Sequence, residues 1–300
     1  MFSNVLVGVD SHSGGRDAIA LAEVLLGKHG ELTLANVYSG DARIWRGAET
    51  DHDTVWREHA LELLERARAQ AHVEAQLRCR NASSVGRGLH ELCESIGADL
   101  LVVGSSRHGL LGRVLLGDDT RAALNGASSA IAIAPAGYSE QSLAIREIGV
   151  GYNGSPESEH AIAVGRLVAA EHGAKLSAFE AVSLPSYTFL GSPTPIDGAI
   201  EELVDDARKR IGSLGDVEPH AVYGCPAEEL ALFSASVDLL VVGSRDYGPV
   251  GRIVHGSTSH QLARAARCPL LVLTRAARAA AKSNGHDRSA AGRAGRVGAH

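Results

Sequence analysis

Two glycine-rich stretches carry the residue types and spacing that could hold an anion. In Asp238 to Thr258, DLLVVGSRDYGPVGRIVHGST, an apolar, partly β-branched run stops at Gly243. Gly248, Gly251 and Gly256 punctuate the loop beyond it, and Gly256-Ser257-Thr258 opens an amphipathic run with Leu262, Ala263, Ala265 and Ala266. Glycine lets backbone amides close on a phosphate, and a helix N-terminus adds unpaired N–H groups with favourable partial charge. Asp99 to Thr120, DLLVVGSSRHGLLGRVLLGDDT, repeats the stretch, with Gly104 and Gly117 at the same offset from Gly243 and Gly256. The chain is therefore two copies of one unit.

Other chemistry finds less support. There is no GxxxxGK[ST] lysine loop, no nucleophile elbow and no Ser/His/Asp constellation. His12, His108, His255 and His260 lie on or near the loops without metal-site spacing and read as polar loop or helix-surface residues, so no metal is expected. Cys79, Cys93, Cys225 and Cys268 form no CxxC or Cys/His cluster, the pattern of reduced thiols in a cytoplasmic protein.

The elements that must position the loops alternate. In the first half Val5–Val9 reads as a strand, Asp10 to Gly15 as a turn, and Arg16–His29 as a helix with Ala and Leu at helical spacing. Next come strand Leu32–Val37, a polar connection Arg43–Asp53 containing Trp45, helix Thr54–His72 and strand Val73–Cys79. Helix Gly88–Ile96, strand Leu100–Val103, the glycine loop, helix Thr120–Asn125 and strand Ala130–Ala134 complete the unit. The second half runs through strand Ile148–Gly151, helix Glu157–His172, strand Leu176–Val182, helix Ala199–Leu214, strand Val217–Tyr223, helix Pro226–Ala235 and strand Leu270–Leu273. Leu184–Asp197, rich in Pro, Ser and Gly, reads as a loop long enough to drape over a site, or as an ordinary connection. Such alternation predicts an α/β protein whose parallel sheets are covered on both faces. The divisions expected are 1–138, 145–275 and a basic tail, 276–300, too poor in large apolar residues to pack.

The 300 residues suit two ordinary domains. With 45% hydrophobic but only 4% aromatic residues, their cores must be built from Ala, Val, Leu and Ile. A formal net charge of −6 offers no basic footprint for nucleic acid. No run approaches the ~20 apolar residues of a membrane helix, which points to a soluble, cytoplasmic protein.

These features resemble the universal stress protein family, in a tandem two-domain form, over residues 2–275. The resemblance rests on Val7-Gly8-Val9-Asp10 after the first strand, on Gly224-Cys225-Pro226-Ala227-Glu228-Glu229-Leu230 at a helix start, and on the glycine pattern ending in Gly-Ser. It implies two tandem Rossmann-like domains of the adenine nucleotide alpha hydrolase-like type, each a five-stranded mainly parallel sheet with helices on both faces. It also implies ATP or another adenine nucleotide as ligand, and a stress-response sensor or adaptor rather than a fast enzyme. Carried over residue by residue, the binding positions are Asn153, Ala181, Gly243, Ser244, Arg245, Gly256, Ser257 and Thr258 in the second half, and Asp10, Val37, Gly104, Ser105 and Gly117 in the first. The last strands of each half, Ala130–Ala134 and Leu270–Leu273, are the expected seam of an intramolecular pseudo-dimer, and further association into homodimers is compatible with it.

Both copies depart from the pattern. The first has Arg107 at the second glycine and Asp118-Asp119 where serine is expected; the carboxylates repel phosphate or cap the helix, while Arg107 pairs with phosphate or with Asp118. The second keeps Gly256-Ser257 but has Asp246 at the second glycine and Asn153 in place of the aspartate. Asp246 weakens phosphate binding unless it turns to solvent or meets magnesium. The second half is accordingly the favoured site. Two alternatives remain at this level: an interaction scaffold with degenerate sites, and a slow ATPase or self-phosphorylating protein, for which no placed base is visible.

Overall fold

The computed structural model describes residues 1–38, 52–105, 129–141, 144–183, 196–243 and 261–274. In the first half β1 (Phe2–Gly8), α1 (Gly14–Leu25), β2 (Leu26–Tyr38), α2 (His52–Arg68), β3 (Ala75–Asn81), α3 (Val85–Ile96), β4 (Leu100–Gly104) and β5 (Ala130–Ala134) succeed one another. After a 3-10 turn at Tyr138–Glu140, the second half supplies β6 (Glu147–Gly151), α4 (Pro156–His172), β7 (Lys175–Val182), α5 (Ile196–Gly212), β8 (Glu218–Tyr223), α6 (Pro226–Phe233), β9 (Leu239–Gly243) and β10 (Leu270–Leu273). The expected helix Thr120–Asn125, the connection Arg43–Asp53 up to residue 51, most of the Leu184–Asp197 loop and the 276–300 tail lie outside the described residues.

One sheet of ten strands runs β3-β2-β1-β4-β5-β10-β9-β6-β7-β8. Every pairing within a half is parallel; β5 and β10 alone pair antiparallel, with Leu270 opposite Ile133 and Val272 opposite Ile131. These are the two strands expected at the seam. Both are wholly buried, AIAIA and LLVL, as strands covered on both faces must be. The edges left over are β3, with Arg78 and Arg80, and β8, with Pro219, residues that discourage further strand pairing.

The order in which strands are added reverses between β1 and β4 while their direction stays parallel, so right-handed crossovers put α1 and α2 on one face and α3 on the other. Alternation along β1 and β2 matches this: Val5, Val7 and Leu34 face a core with α1 and α2, whereas Leu6 and Ala35 face one with Leu89 and Leu92 of α3.

Two helix ends show how local sequence sets length. Ser155 caps α4 by accepting from Ser158 N–H at 3.3 Å, and Gly173 at φ 64° ends it in the left-handed region that glycine favours. The first half differs from expectation. Helix α1 stops at Leu25 rather than His29, because Leu26 already pairs with Phe2 in the sheet and Gly27 passes so close to the Phe2 carbonyl that a Cβ would lie 3.1 Å away.

The halves are also joined off the sheet. Buried Asp17, in the first turn of α1, accepts from Gly137 N–H at 2.9 Å and from the N–H and hydroxyl of Ser139, both at 2.8 Å. Across the seam, His172 Nε2 lies 3.1 Å from the Val24 carbonyl oxygen.

Candidate functional site

The β1/β4 boundary is the switch point where open α/β sheets leave a crevice at the carboxyl ends of their strands. The first half has a cavity of about 100 Å³ there. Val9 and Asp10 form one wall and Val103 to Ser105 another, with Ala35, Asn36 and Val37 from β2 and Val85 and Leu89 from α3 closing the rest. Four of the residues expected from sequence, Asp10, Val37, Gly104 and Ser105, are thus brought together; Gly117 lies outside the described residues, as do Arg107 and Asp118.

Glycine makes the crevice possible. At Gly104 a Cβ would overlap the carbonyl oxygen of Gly14, so only hydrogen lets β4 end against the start of α1. Gly88 of α3 serves likewise beneath Val37, whose Cγ1 lies 2.5 Å from where a Cβ would sit. The turn between β1 and α1 is held by Asp10, which accepts from His12 N–H at 2.9 Å and lies 2.8 Å from His12 Nδ1. Asn36 Nδ2 donates to the Val9 carbonyl at 2.8 Å, tying that turn to β2. The space is well below the ~300–1,000 Å³ of a whole small-molecule site, and fits a planar ring with the remainder of a ligand outside it.

The second half keeps this framework and fills it differently. Tyr152 N–H donates to the Phe179 carbonyl at 2.9 Å as Val9 N–H donates to that of Ala35 at 2.8 Å, so Phe179 is the counterpart of Ala35. Its ring stacks on Phe233, with centroids 4.7 Å apart and planes 23° from parallel. Phe233 in turn covers Gly149, where a Cβ would meet its Cε1 at 2.5 Å. The set Leu6, Ala35 and Leu92 of the first half has become Gly149, Phe179 and Phe233.

Among the residues expected to bind in this half, Asn153 uses its Oδ1 to accept from Ser155 N–H at 3.1 Å, closing the turn. Ala181 is partly buried on β7, and Gly243 approaches the Glu157 carbonyl oxygen so closely that a Cβ would sit 2.6 Å from it. Asn153, Ala181 and Gly243 hold the positions that Asp10, Val37 and Gly104 hold in the first half. Ser244, Arg245, Asp246, Gly256, Ser257 and Thr258 lie outside the described residues.

Sequence reasoning missed Phe179, Glu180, Asn36, Arg66 and Arg210. An ungapped alignment through Gly8 and Gly151 hides the change, because Gly8 and Ala35 are 27 residues apart and Gly151 and Phe179 are 28. Only the strand register, pairing Gly8 with Ala35 and Gly151 with Phe179, sets Ala35 against Phe179 and Asn36 against Glu180.

Fold and crevice define the class: a tandem α/β chain built on one shared sheet, with a glycine-dependent cleft at the carboxyl ends of the strands at its first switch point. A sequence model described as the Universal stress protein family matches residues 1–135 and again 144–274, and the chain belongs to that family. It is 32% identical over 187 residues to a universal stress protein of Mycobacterium tuberculosis, a match covering 58% of this chain and 61% of that protein, so the chain spans about three fifths of that relative's length. A universal stress protein of Mycolicibacterium smegmatis is 26% identical over 294 residues, covering 90% of this chain and 96% of its own. In fold, the crystal structure of a universal stress protein from Archaeoglobus fulgidus superposes with a TM-score of 0.64 at 16% identity, covering 91% of this chain and 98% of that one. Among the described residues no helix is long and apolar enough to cross a membrane.

Proposed function

We propose that this universal stress protein binds an adenine nucleotide and works as a cytoplasmic, stress-linked sensor or adaptor, its halves acting as an intramolecular pseudo-dimer. The observation that carries the reading is the convergence of Asp10, Val37, Gly104 and Ser105 on one ring-sized cavity at the β1/β4 switch point. In this reading the base enters over Ala35 and the phosphates run past the Gly104 backbone. The sequence favours the second half through its Gly256-Ser257 pair; the stacked phenyl ring that stands there in place of the Ala35 methyl supports our reading that the base binds in the first half.

Calorimetry of the full chain with ATP, AMP and cyclic AMP, with and without magnesium, tests this. Ala35→Phe should abolish binding and Gly256→Asp should leave it. Loss in Gly256→Asp alone would return the site to the second half. No heat from the wild-type chain at millimolar ligand would overturn nucleotide binding and favour the scaffold.

A further inference from the structure

A second cavity, of about 310 Å³, opens on the face of the sheet that carries α1 and α2. Its charged lining is Arg16 of α1, Arg66 of α2 and the Asp10–His12 pair, with Gln70 beside them. The negative charge of Asp10 is engaged by the His12 ring and N–H. Arg66 donates from Nε to the backbone carbonyl of Glu62 at 3.3 Å, and Glu65 is taken by Arg68 at 2.5 Å. Among the described residues neither Arg16 nor Arg66 has a carboxylate partner.

The second half fills the equivalent place with its own groups. Val9 corresponds to Tyr152, as the strand hydrogen bonds establish, and the next residues along β2 and β7 are Asn36 and Glu180. Arg66 and Arg210 each lie two residues short of the end of a 17-residue helix, and each sits at the turn after the first strand of its half: Arg66 with Asp10 and Ser11, Arg210 with its Cδ 3.6 Å from where a Gly154 Cβ would lie. Arg16 and Glu159 each stand two residues before an Ala-Ile pair, Ala18-Ile19 and Ala161-Ile162.

In the second half Arg210 grips buried Glu180 as a fork, Nη2 to Oε1 at 2.8 Å and Nε to Oε2 at 3.3 Å. Tyr152 packs beside them; burial, then Glu159, hold its hydroxyl pKa above the ordinary value, with Arg210 opposing and Glu180 adding to the rise. In the first half the ring is only a valine, Glu180 has become an asparagine turned to the Val9 carbonyl, and Glu159 has become a cation. The Arg66 guanidinium therefore remains, its Nε on the Glu62 carbonyl and no carboxylate partner among the described residues, beside a cavity whose own carboxylate, Asp10, is paired with His12.

We propose that this cavity is a binding site for a small organic carboxylate, held by Arg16 and Arg66 in the place where the second half supplies Glu180. A planar carboxylate accepts the parallel N–H bonds of a guanidinium, as Glu180 does, and the volume reaches the lower end of small-ligand sites. Neither guanidinium is needed for the nucleotide reading, and the site stands or falls without it.

The probe is succinate, titrated into the full chain at constant ionic strength without nucleotide, and monitored by calorimetry and by the arginine Nε–Hε resonances. Saturable binding that moves Arg16 and Arg66 signals is expected, weakened about tenfold or more in Arg66→Leu. Asn36→Glu, which installs the internal carboxylate of the second half, should abolish binding while preserving the far-ultraviolet circular dichroism. The proposal is overturned by the absence of saturable succinate binding, by undiminished binding in folded Asn36→Glu, or by inorganic phosphate binding as tightly as succinate.

Discussion

The exchange of Leu6, Ala35 and Leu92 for Gly149, Phe179 and Phe233 makes a quantitative prediction about how the second half is packed. Phe179 is buried and stacked on Phe233, so Phe179→Ala alone should cost about 3–5 kcal/mol, of which the ring pair accounts for roughly 0.5–1.5. Gly149→Leu alone overpacks, because Phe233 Cε1 already lies 2.5 Å from the first added carbon; a cost of about 1–3 kcal/mol is expected. Made together with Phe233→Leu, the three substitutions recreate the set that the first half packs. The new leucine then fills the space the phenyl rings leave. Neighbours in contact do not add, and here the coupling is favourable by about 0.5–3 kcal/mol, so the triple variant should be more stable by that amount than the sum of its single substitutions. Urea unfolding monitored by circular dichroism measures this, read as a shift of midpoint at unchanged slope. A triple variant as unstable as the sum of its single substitutions would refute the compensation.

Two further outcomes concern buried polar groups. Asp17→Asn keeps the shape but gives up the charge that holds Gly137 and Ser139, and should cost about 1.5–3 kcal/mol, with faster proteolytic cleavage between the halves; unchanged cleavage would mean that the clasp does not restrain the linker. Burial pushes the Cys93 thiol up to about 12 from an ordinary 9.0. The folded chain then keeps a proton that the unfolded chain releases, so this contribution to stability is complete below pH 9, falls as pH rises and is gone past pH 12. Denaturation of wild type and Cys93→Ala from pH 8 upward should show the wild type losing about 1.4 kcal/mol per pH unit more within that window. Equal slopes would refute the assignment.

The fold was largely legible because its signals are local. Short apolar runs such as LLVVG at Leu100 and Leu239 are strands however the chain folds, and alternation with helices leaves few topologies. Strand ends in the AIAIA and LLVL segments matched to the residue, since both are uniformly apolar and sharply bounded. The end of α1 did not, because Ala-Glu-Val-Leu-Leu continues a helical pattern and only the approach of Gly27 to Phe2 stops it.

Residue order alone determined that the chain is a tandem repeat of alternating strands and helices, and its resemblance to the universal stress protein family is what implied that Asp10, Val37, Gly104 and Ser105 belong together. Repeat and alternation are properties of motif and period, carried by residues near one another in sequence. Tertiary structure decided how the described residues of each switch point pack. A recess is the difference between what surrounds it and what fills it, and the groups that fill the second half, Phe179 with Phe233 and Glu180 with Arg210, meet from elements far apart along the chain. The glycine motif recurs in both halves of the sequence; the partners of Phe179 and Arg210, set only when strands and helices pack, make the two halves unequal.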